Sequence, residues 1–169
     1  MQVQELDAIP EGAWEELTGN EPEAWGGIGE HLEWANKDRH FAVRGDGGEM
    51  LALASSIVAP VAIGLAELQV VGIGSVVVTP RLRTQGLARA VFEYALEDAY
   101  GRGPDFAMLF CMPDKLEMYA KFGFTQMQGP IRAEQASGRI DVPMDAMWHA
   151  LTPGVEWPAG PVEVLGRPF

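Results

Sequence analysis

The apolar positions of the chain fall into blocks of two different periods, and the order of those blocks is the first structural signal. Residues 2–6 read as a short strand. Residues 10–17 open on a proline suited to a first helical turn, carry Ala13, Trp14 and Leu17, and stop at Gly19, which predicts a short helix. Residues 21–35 place Trp25, Ile28, Leu32 and Ala35 at spacings of three and four, which predicts a second helix, kinked at Gly26 and Gly27. The pattern then changes to strands. Residues 40–44 and 50–59 flank Gly45-Asp46-Gly47-Gly48, whose glycines and aspartate supply the positive φ of a tight hairpin. Residues 65–79 continue as a long Val- and Ile-rich strand, interrupted by Gly72 and Gly74, where a strand bulges or something approaches its backbone closely.

Pro80 ends that strand and the helical period returns. Within residues 85–100, Leu87, Val91, Ala95 and Ala99 recur every four, with Ala88, Phe92 and Leu96 beside them, and Gly101, Gly103 and Pro104 stop the helix. Residues 106–111 (FAMLFC) form a short continuous apolar run, as a buried parallel strand requires. Pro113 opens another helix through 122, with Gly123 at the left-handed cap position. Strand character returns at 124–128 and at 141–151. The last eighteen residues hold Pro153, Trp157, Pro158, Pro161 and Pro168, which exclude a regular helix, and 162–165 predict an edge strand. A strand–helix–strand–helix stretch joined to an antiparallel half predicts a mixed α+β fold.

Length and composition narrow this picture. At 169 residues the chain is expected to be one domain over 1–169, with residues 152–169 as a Pro/Trp-rich tail packed on it. A chain of this size buries about 70% of its unfolded surface and needs no metal or disulfide staple. Apolar residues make up 47% and charged residues 21%, an ordinary globular balance. Twenty-four acidic against twelve basic residues leave a net charge of −12, which repels phosphate backbones and excludes a broad nucleic-acid surface. The same charge draws cations toward any cleft. Cys111 is the single cysteine, so neither an internal disulfide nor a C-x-x-C zinc site is available. The N-terminal residues carry no export leader, and the longest apolar run, 57–68, is broken by Pro60, Gly64 and Glu67. The expectation is a cytoplasmic protein in a reducing compartment.

The densest chemical signal is residues 76–89, VVVTPRLRTQGLAR: a strand end, a turn with two arginines, and a helix start with Gly86 in its first turn. Unpaired amides and the positive end of the helix dipole make such a start an anion site, and glycine admits a bulky anion. Arg81, Arg83 and Arg89, three of nine arginines, fall within nine residues of an otherwise acidic chain. No Gly-Lys-Ser/Thr of a Walker loop follows, and the three-glycine dinucleotide spacing is absent.

Val78-x-Pro80-x-x-Arg83-x-x-Gly86-x-Ala88 resembles the acetyl-CoA pyrophosphate motif of the GNAT N-acetyltransferases, and Tyr119-Ala-Lys-Phe-Gly-Phe124 resembles their Tyr-x-x-x-Gly-Phe signature. The order of elements is similar over nearly the whole chain. A looser resemblance to the aminoglycoside 2′-N-acetyltransferases rests on the His40-Phe41 strand after a Trp-containing helix, the Tyr119 helix, and the tail ending in Phe169.

The resemblance implies a mostly antiparallel central sheet with flanking helices, in which the strand at 68–79 splays from its parallel neighbour at 106–111. Backbone groups of Val76, Val77 and Val78 would then hold the pantetheine arm. Arg81, Arg83, Thr84, Gln85, Gly86, Leu87, Ala88 and Arg89 would hold the pyrophosphate, and Tyr119 would protonate the departing thiolate as general acid. The implied co-substrate is acetyl-CoA, with no metal, and the reaction is direct attack by a primary amine of a small, cationic acceptor. Its rate should fall at low pH as the amine becomes protonated.

Two positions depart from the family pattern. No carboxylate stands in Gly72-Ile73-Gly74-Ser75-Val76, and the position seven before the tyrosine, often Asn, is Met112. Candidates for the base are Glu67, a water chain, His31, and the C-terminal carboxylate of Phe169. The three histidines, His31, His40 and His149, read more readily as solvated or packed side chains. Cys111, in an apolar strand, reads as inert core. Trp14, Trp25, Trp34, Trp148 and Trp157 read as core or pocket wall. Glu30, Glu33, Asp38, Asp141 and Asp145 read as solvated acids or as an acceptor's cation site.

Expected partners are CoA and a small amine, without nucleic acid or membrane, and a homodimer is compatible with the chain. Two other readings stand beside the transferase: a CoA-binding sensor or scaffold without transfer, supported by the missing strand carboxylate, and an acetyltransferase acting on a protein N-terminus. Aminoacyl-tRNA as acceptor is disfavoured by the net charge.

Overall fold

The computed structural model describes residues 1–21, 27 and 29–169, without the side chain of Glu30. Its strands are β1 (Val3–Leu6), β2 (Arg39–Arg44), β3 (Met50–Ile63), β4 (Ala66–Val78), β5 (Phe106–Cys111), β6 (Thr125–Gln126), β7 (Arg132–Gln135), β8 (Gly138–Asp141), β9 (Asp145–Ala150) and β10 (Val162–Val164). The helices are α1 (Ala13–Thr18), α2 (Leu87–Ala99) and α3 (Leu116–Ala120).

All ten strands join one mixed sheet with the order β6-β9-β5-β4-β3-β10-β7-β8. Along its other edge β3 pairs first with β2, which carries β1, and then with β10. The long β3–β4 hairpin runs antiparallel through the centre, and β4 pairs with β5 in parallel. Helix α2 makes the crossover between those two strands, as the sequence pattern predicts.

The sheet is covered on both faces. Val91, Phe92, Ala95 and Ala99 of α2, spaced along one stripe, pack on Phe41, Val43, Val71, Ile73 and Leu109, with Tyr119 and Phe124 completing that cluster. Each large side chain withdrawn from water here stabilises the fold by about 1.5–3 kcal/mol. A second cluster joins Val70, Phe106, Met108, Val164 and Phe169, with Trp34, Trp148 and Trp157 at its margin. Ala13 and Leu17 of α1 form a third with Ala42, Leu53 and Val77.

Three elements differ from the sequence reading. The helix expected over 21–35 falls partly outside the described residues, Trp25 and Ile28 among them. Its described remainder is one 3-10 turn at Gly29–His31 followed by irregular chain, so Leu32, Trp34 and Ala35 reach the second cluster without a helix. The strand expected at an edge, β10, lies between β3 and β7 and is paired on both sides. Residues 132–141 form a β7–β8 hairpin that the sequence reading did not contain. Among the described residues, no helix is long and apolar enough to cross a membrane.

Candidate active site

The parallel pair at the centre of the sheet opens. β4 and β5 are paired only from Val71–Ala107 to Ile73–Leu109, although β4 runs on to Val78 and β5 to Cys111. A bulge lies just past the last pair. Val77 pairs with Leu53 and Gly74 with Ser55, so Ala54 alone faces both Ser75 and Val76, and Ser75 takes φ 55. A bulge bends its strand and increases its twist. It also resets the alternation of side chains: Val71 and Ile73 before it, and Val76 and Val78 after it, all lie on the α2 face. The N–H and C=O groups of β4 beyond Ile73 have no strand partner on the β5 side.

The strand leads into a cradle. After a 3-10 turn at Pro80–Leu82, Thr84 has φ 66 and Gly86 caps α2 with φ 83. Among the described residues, no backbone amide from Thr84 to Arg89 donates a hydrogen bond. A Cβ built on Gly86 would meet nothing within 4 Å, so the ground in front of these amides is open. Among the described residues, the loop's arginines have only exposed carboxylates as charge partners: Arg81 with Glu49 at 3.3 Å, Arg83 with Glu21 at 2.6 Å, and Arg89 with Glu93 at 2.7 Å. Pairs of this kind are worth about 0–1 kcal/mol, so they yield to a stronger anion. The Arg83 Nε–H also donates to the Val78 carbonyl at 3.4 Å, which ties the loop to the strand end.

Tyr119 sits in α3 on the α2 side of the split. Its ring packs edge-on to Phe92 at 4.8 Å and lies 6.5 Å from Phe124. Its hydroxyl has no hydrogen-bond partner among the described residues. Burial, and secondarily Cys111, push its pKa well above the usual phenol range, so it holds its proton at neutral pH. Burial likewise pushes the Cys111 thiol up to about 12, with Asp145 and Asp114 adding to the effect, so this side chain is a protonated core group rather than a nucleophile.

The remaining candidates are distributed differently. Glu67 is exposed beside the β3–β4 turn, paired across to Ala62, roughly 23 Å along the strand from Gly74 at ~3.3 Å per residue. Phe169 is brought in: its ring lies 2.4 Å from the position a Gly72 Cβ would take, and its main-chain carbon 2.9 Å from that of Gly74. His31 is exposed. His40 is buried with Nδ1 2.9 Å from Ser55 Oγ, and burial lowers its pKa. His149 lies 3.1 Å by Nδ1 from the Gly123 carbonyl, which can only accept, so Nδ1 carries the proton and Nε2 accepts from the Tyr100 hydroxyl at 2.8 Å. Met112 precedes the 3-10 turn that leads into α3.

Among the described residues, the four acids with described side chains do not converge on the split. Glu33 accepts from the Ala136 amide, Asp38 pairs with Arg102 and Asp145 accepts from Gln126, while Asp141 lies 3.9 Å from Arg132. Trp148 and Trp157 stack on each other at 5.3 Å in the second cluster, and Trp14 is partly exposed. One residue at the split was not singled out from the sequence. Lys37 Cε lies 2.9 Å from the position of a Gly74 Cβ, and its ammonium stands 5.8 Å from the centre of the Trp34 ring. A single lysine in an irregular segment gives no periodic signal; only the third dimension sets it against β4.

A splayed parallel pair, a bulge at the splay, and a row of free amides at a helix start form a cleft with the chemistry to take an extended, phosphate-bearing ligand. The domain description "Acetyltransferase (GNAT) domain" matches residues 18–127. The chain belongs to this family of acetyltransferases. Solved structures share the fold. The GNAT-family N-acetyltransferase YhbS from Escherichia coli, in complex with CoA, has a TM-score of 0.60 at 20% identity, covering 96% of this chain and 89% of that one. A GNAT-family acetyltransferase from Brucella melitensis with acetyl-CoA gives 0.56 at 20%, covering 95% and 94%. A GNAT-superfamily phosphinothricin acetyltransferase from Sinorhizobium meliloti with acetyl-CoA gives 0.60 at 13%, covering 94% of each. No curated protein matches. The residues present fit the CoA that those structures hold: the unpaired edge of β4 suits its amide-bearing arm, and the open amides of residues 84–89 suit its pyrophosphate.

Proposed function

We propose that the chain transfers the acetyl group of acetyl-CoA to a primary amine of a small, cationic acceptor by direct attack. The observation that carries this reading is the opening of β4 from β5 at Ile73, with the bulge at Ser75–Val76 and the free amides of the α2 start in line with it. In this reading acetyl-CoA supplies an activated acyl group on sulfur. Backbone groups of Val76, Val77 and Val78 hold the pantetheine arm as an added strand would. Arg81, Arg83, Thr84, Gln85, Gly86, Leu87, Ala88 and Arg89 hold the pyrophosphate. Amides of β4 left without a strand partner polarise the thioester carbonyl.

Tyr119 gives its proton to the departing sulfur. Its hydroxyl keeps its proton at neutral pH and has no hydrogen-bond partner among the described residues, so a proton is available to the departing thiolate. The acceptor's ammonium gives up its proton to water or to the C-terminal carboxylate of Phe169, whose main-chain carbon lies against Gly74, while Glu67 stands at the other end of the strand. The rate should therefore fall as pH drops and the acceptor becomes protonated. The net charge of −12 favours the approach of a cation. We place the protein in the cytoplasm as one domain over residues 1–169.

The test is thiol release from acetyl-CoA against a panel of aminoglycosides, polyamines, amino acids and short peptides, with Cys111 blocked beforehand. Amine-dependent release that falls about 10²–10⁴-fold in Tyr119→Phe, with CoA affinity unchanged, supports both the transfer and the acid. A second reading, a CoA-binding domain without transfer, is favoured by the missing carboxylate on β4. A flat panel from a protein that still binds CoA would select it.

A further inference from the structure

Lys37 has no part in the reaction described above, yet the fold gives it a particular place. Gly74 is the first β4 residue past the last β4–β5 pair, and the Lys37 stem fills the space its side chain would have taken, on the face opposite α2. A Cβ at Gly74 would stand 2.9 Å from Lys37 Cε, so the glycine is what lets the lysine lie across the mouth of the split.

The charge environment is equally particular. Lys115 pairs with Asp114 at 3.0 Å and Lys121 with Glu117 at 3.2 Å, both on the surface. Among the described residues, the Lys37 ammonium makes no hydrogen bond and has no carboxylate side chain within ion-pair distance. Every arginine but Arg44 has one within 4.0 Å. In a chain with twice as many acids as bases, this cation is kept apart from their described side chains, and the acid group nearest to it is the main-chain carboxyl end of Phe169, whose carbon lies against the same Gly74 position as Lys37 Cε. Trp34 and the main chain of Gly74 and Phe169 face it, and His40, whose pKa burial and the Lys37 charge lower and Asp38 raises, is the titratable side chain that feels it. Burial pushes the amine's pKa down to about 8, so a usable fraction is neutral and nucleophilic near physiological pH.

We propose that Lys37 is itself an acceptor, so that the chain acetylates its own Lys37 when acetyl-CoA occupies the split. This rests on the acetyl-transfer reading. The Lys37 ammonium loses one proton to solvent, and Nζ attacks the thioester carbonyl carbon. The new N–C bond forms as the C–S bond breaks. Sulfur takes the proton of Tyr119, which solvent restores, and the nitrogen sheds its second proton. One ammonium and one acetyl-CoA thereby become one acetyl-lysine, one CoA thiol and one released proton. The product is uncharged and removes the unpaired cation from the split.

The experiment incubates the intact protein with acetyl-CoA and locates acetyl groups by peptide mass analysis, with Lys115 and Lys121 as internal controls. Lys37 should be modified on the order of a hundredfold faster than either, at a rate independent of protein concentration, because the amine is held beside the thioester. The rate should rise through pH 8, fall in Tyr119→Phe, and be suppressed by excess free CoA. A separate measurement without acetyl-CoA, labelling by acetic anhydride across pH, should show Lys37 reactivity with a midpoint near pH 8.

Several results would overturn the proposal. If Lys37 stays unmodified while amines of the panel turn over, self-acetylation is wrong and the transferase stands. If Lys37 is modified no faster than Lys115 and Lys121 and free CoA has no effect, the labelling is solution chemistry and the inference fails. If saturating acetyl-CoA gives no rise in melting temperature, the transfer reading and this inference fall together.

Discussion

Gly72 and Tyr119 show how much single atoms decide in this site. A methyl added at Gly72 would stand 2.4 Å from the ring of Phe169, in a cluster that has no room to give. Gly72→Ala should therefore destabilise the chain by about 1–3 kcal/mol, the usual range for overpacking. In a urea double-mutant cycle with Phe169→Ala, the two losses should be clearly non-additive, because the truncated ring relieves the clash. Additive losses would mean that the two residues do not touch. Tyr119→Phe removes a hydroxyl with no hydrogen-bond partner among the described residues, so its stability should stay within about 0.5 kcal/mol of the parent while turnover collapses. A loss of activity accompanied by a large loss of stability would return Tyr119 to the role of a packing residue. The residue types at both positions are plain in the sequence; what they touch is not.

At the scale of elements, the start of α2 is the most informative. Gly86 holds φ 83 with open space around its Cα, so a side chain there meets backbone strain but no steric obstacle. Gly86→Ala should cost about 1–2 kcal/mol of stability through the left-handed backbone alone. The new methyl projects into the cradle, so CoA affinity measured by titration calorimetry should fall about tenfold or more, equivalent to 1.4 kcal/mol. Unchanged affinity would place the pyrophosphate elsewhere.

The long elements were legible because their periods are strong. β5 was read with its observed bounds, Phe106–Cys111, and α2 to within two residues at each end. The β7–β8 hairpin was not, since Arg132, Glu134, Arg139 and Asp141 leave it too few apolar positions to show a period. Residues 32–35 carried helical spacing that belongs to packing against the second cluster, not to a helix. The interior position of β10 follows from its pairing with β3 and β7, and edge and centre are indistinguishable in a three-residue strand.

For the molecule as a whole, the buried groups set a pH signature. Lys37 has a folded pKa near 8, below its usual 10.5, so below pH 8 both folded and unfolded chains carry the charge and its burial penalty is constant. Between about 8 and 10.5 the unfolded chain holds a proton that the folded chain has lost, and this residue's contribution to stability rises with pH. Cys111 acts in the opposite sense. Its folded pKa is raised from 9.0 to about 12, so its stabilisation is complete below 9 and declines above. Comparing wild type with Lys37→Met isolates the lysine. The variant should be the more stable protein at pH 7, and the gap should narrow as pH rises from 8 toward 10. A constant gap across that range would show that Lys37 titrates normally.

The sequence by itself determined the mixed α+β class, the glycine-led helix start after the arginine turn at residues 81–86 and the tyrosine motif, because each rests on local order: hydrophobic period, a glycine at a helix start, and short fixed spacings. Tertiary structure alone decided where the central pair opens, since the bulge at Ser75–Val76 is a matter of register against β3 and no single strand encodes its partner's count. It also separated Glu67 from the split while bringing Phe169 and Lys37 to it. Those three lie at sequence distances that say nothing about space, and a sheet that pairs Val71 with Ala107 and Ile63 with Val162 is what turns them into near or far.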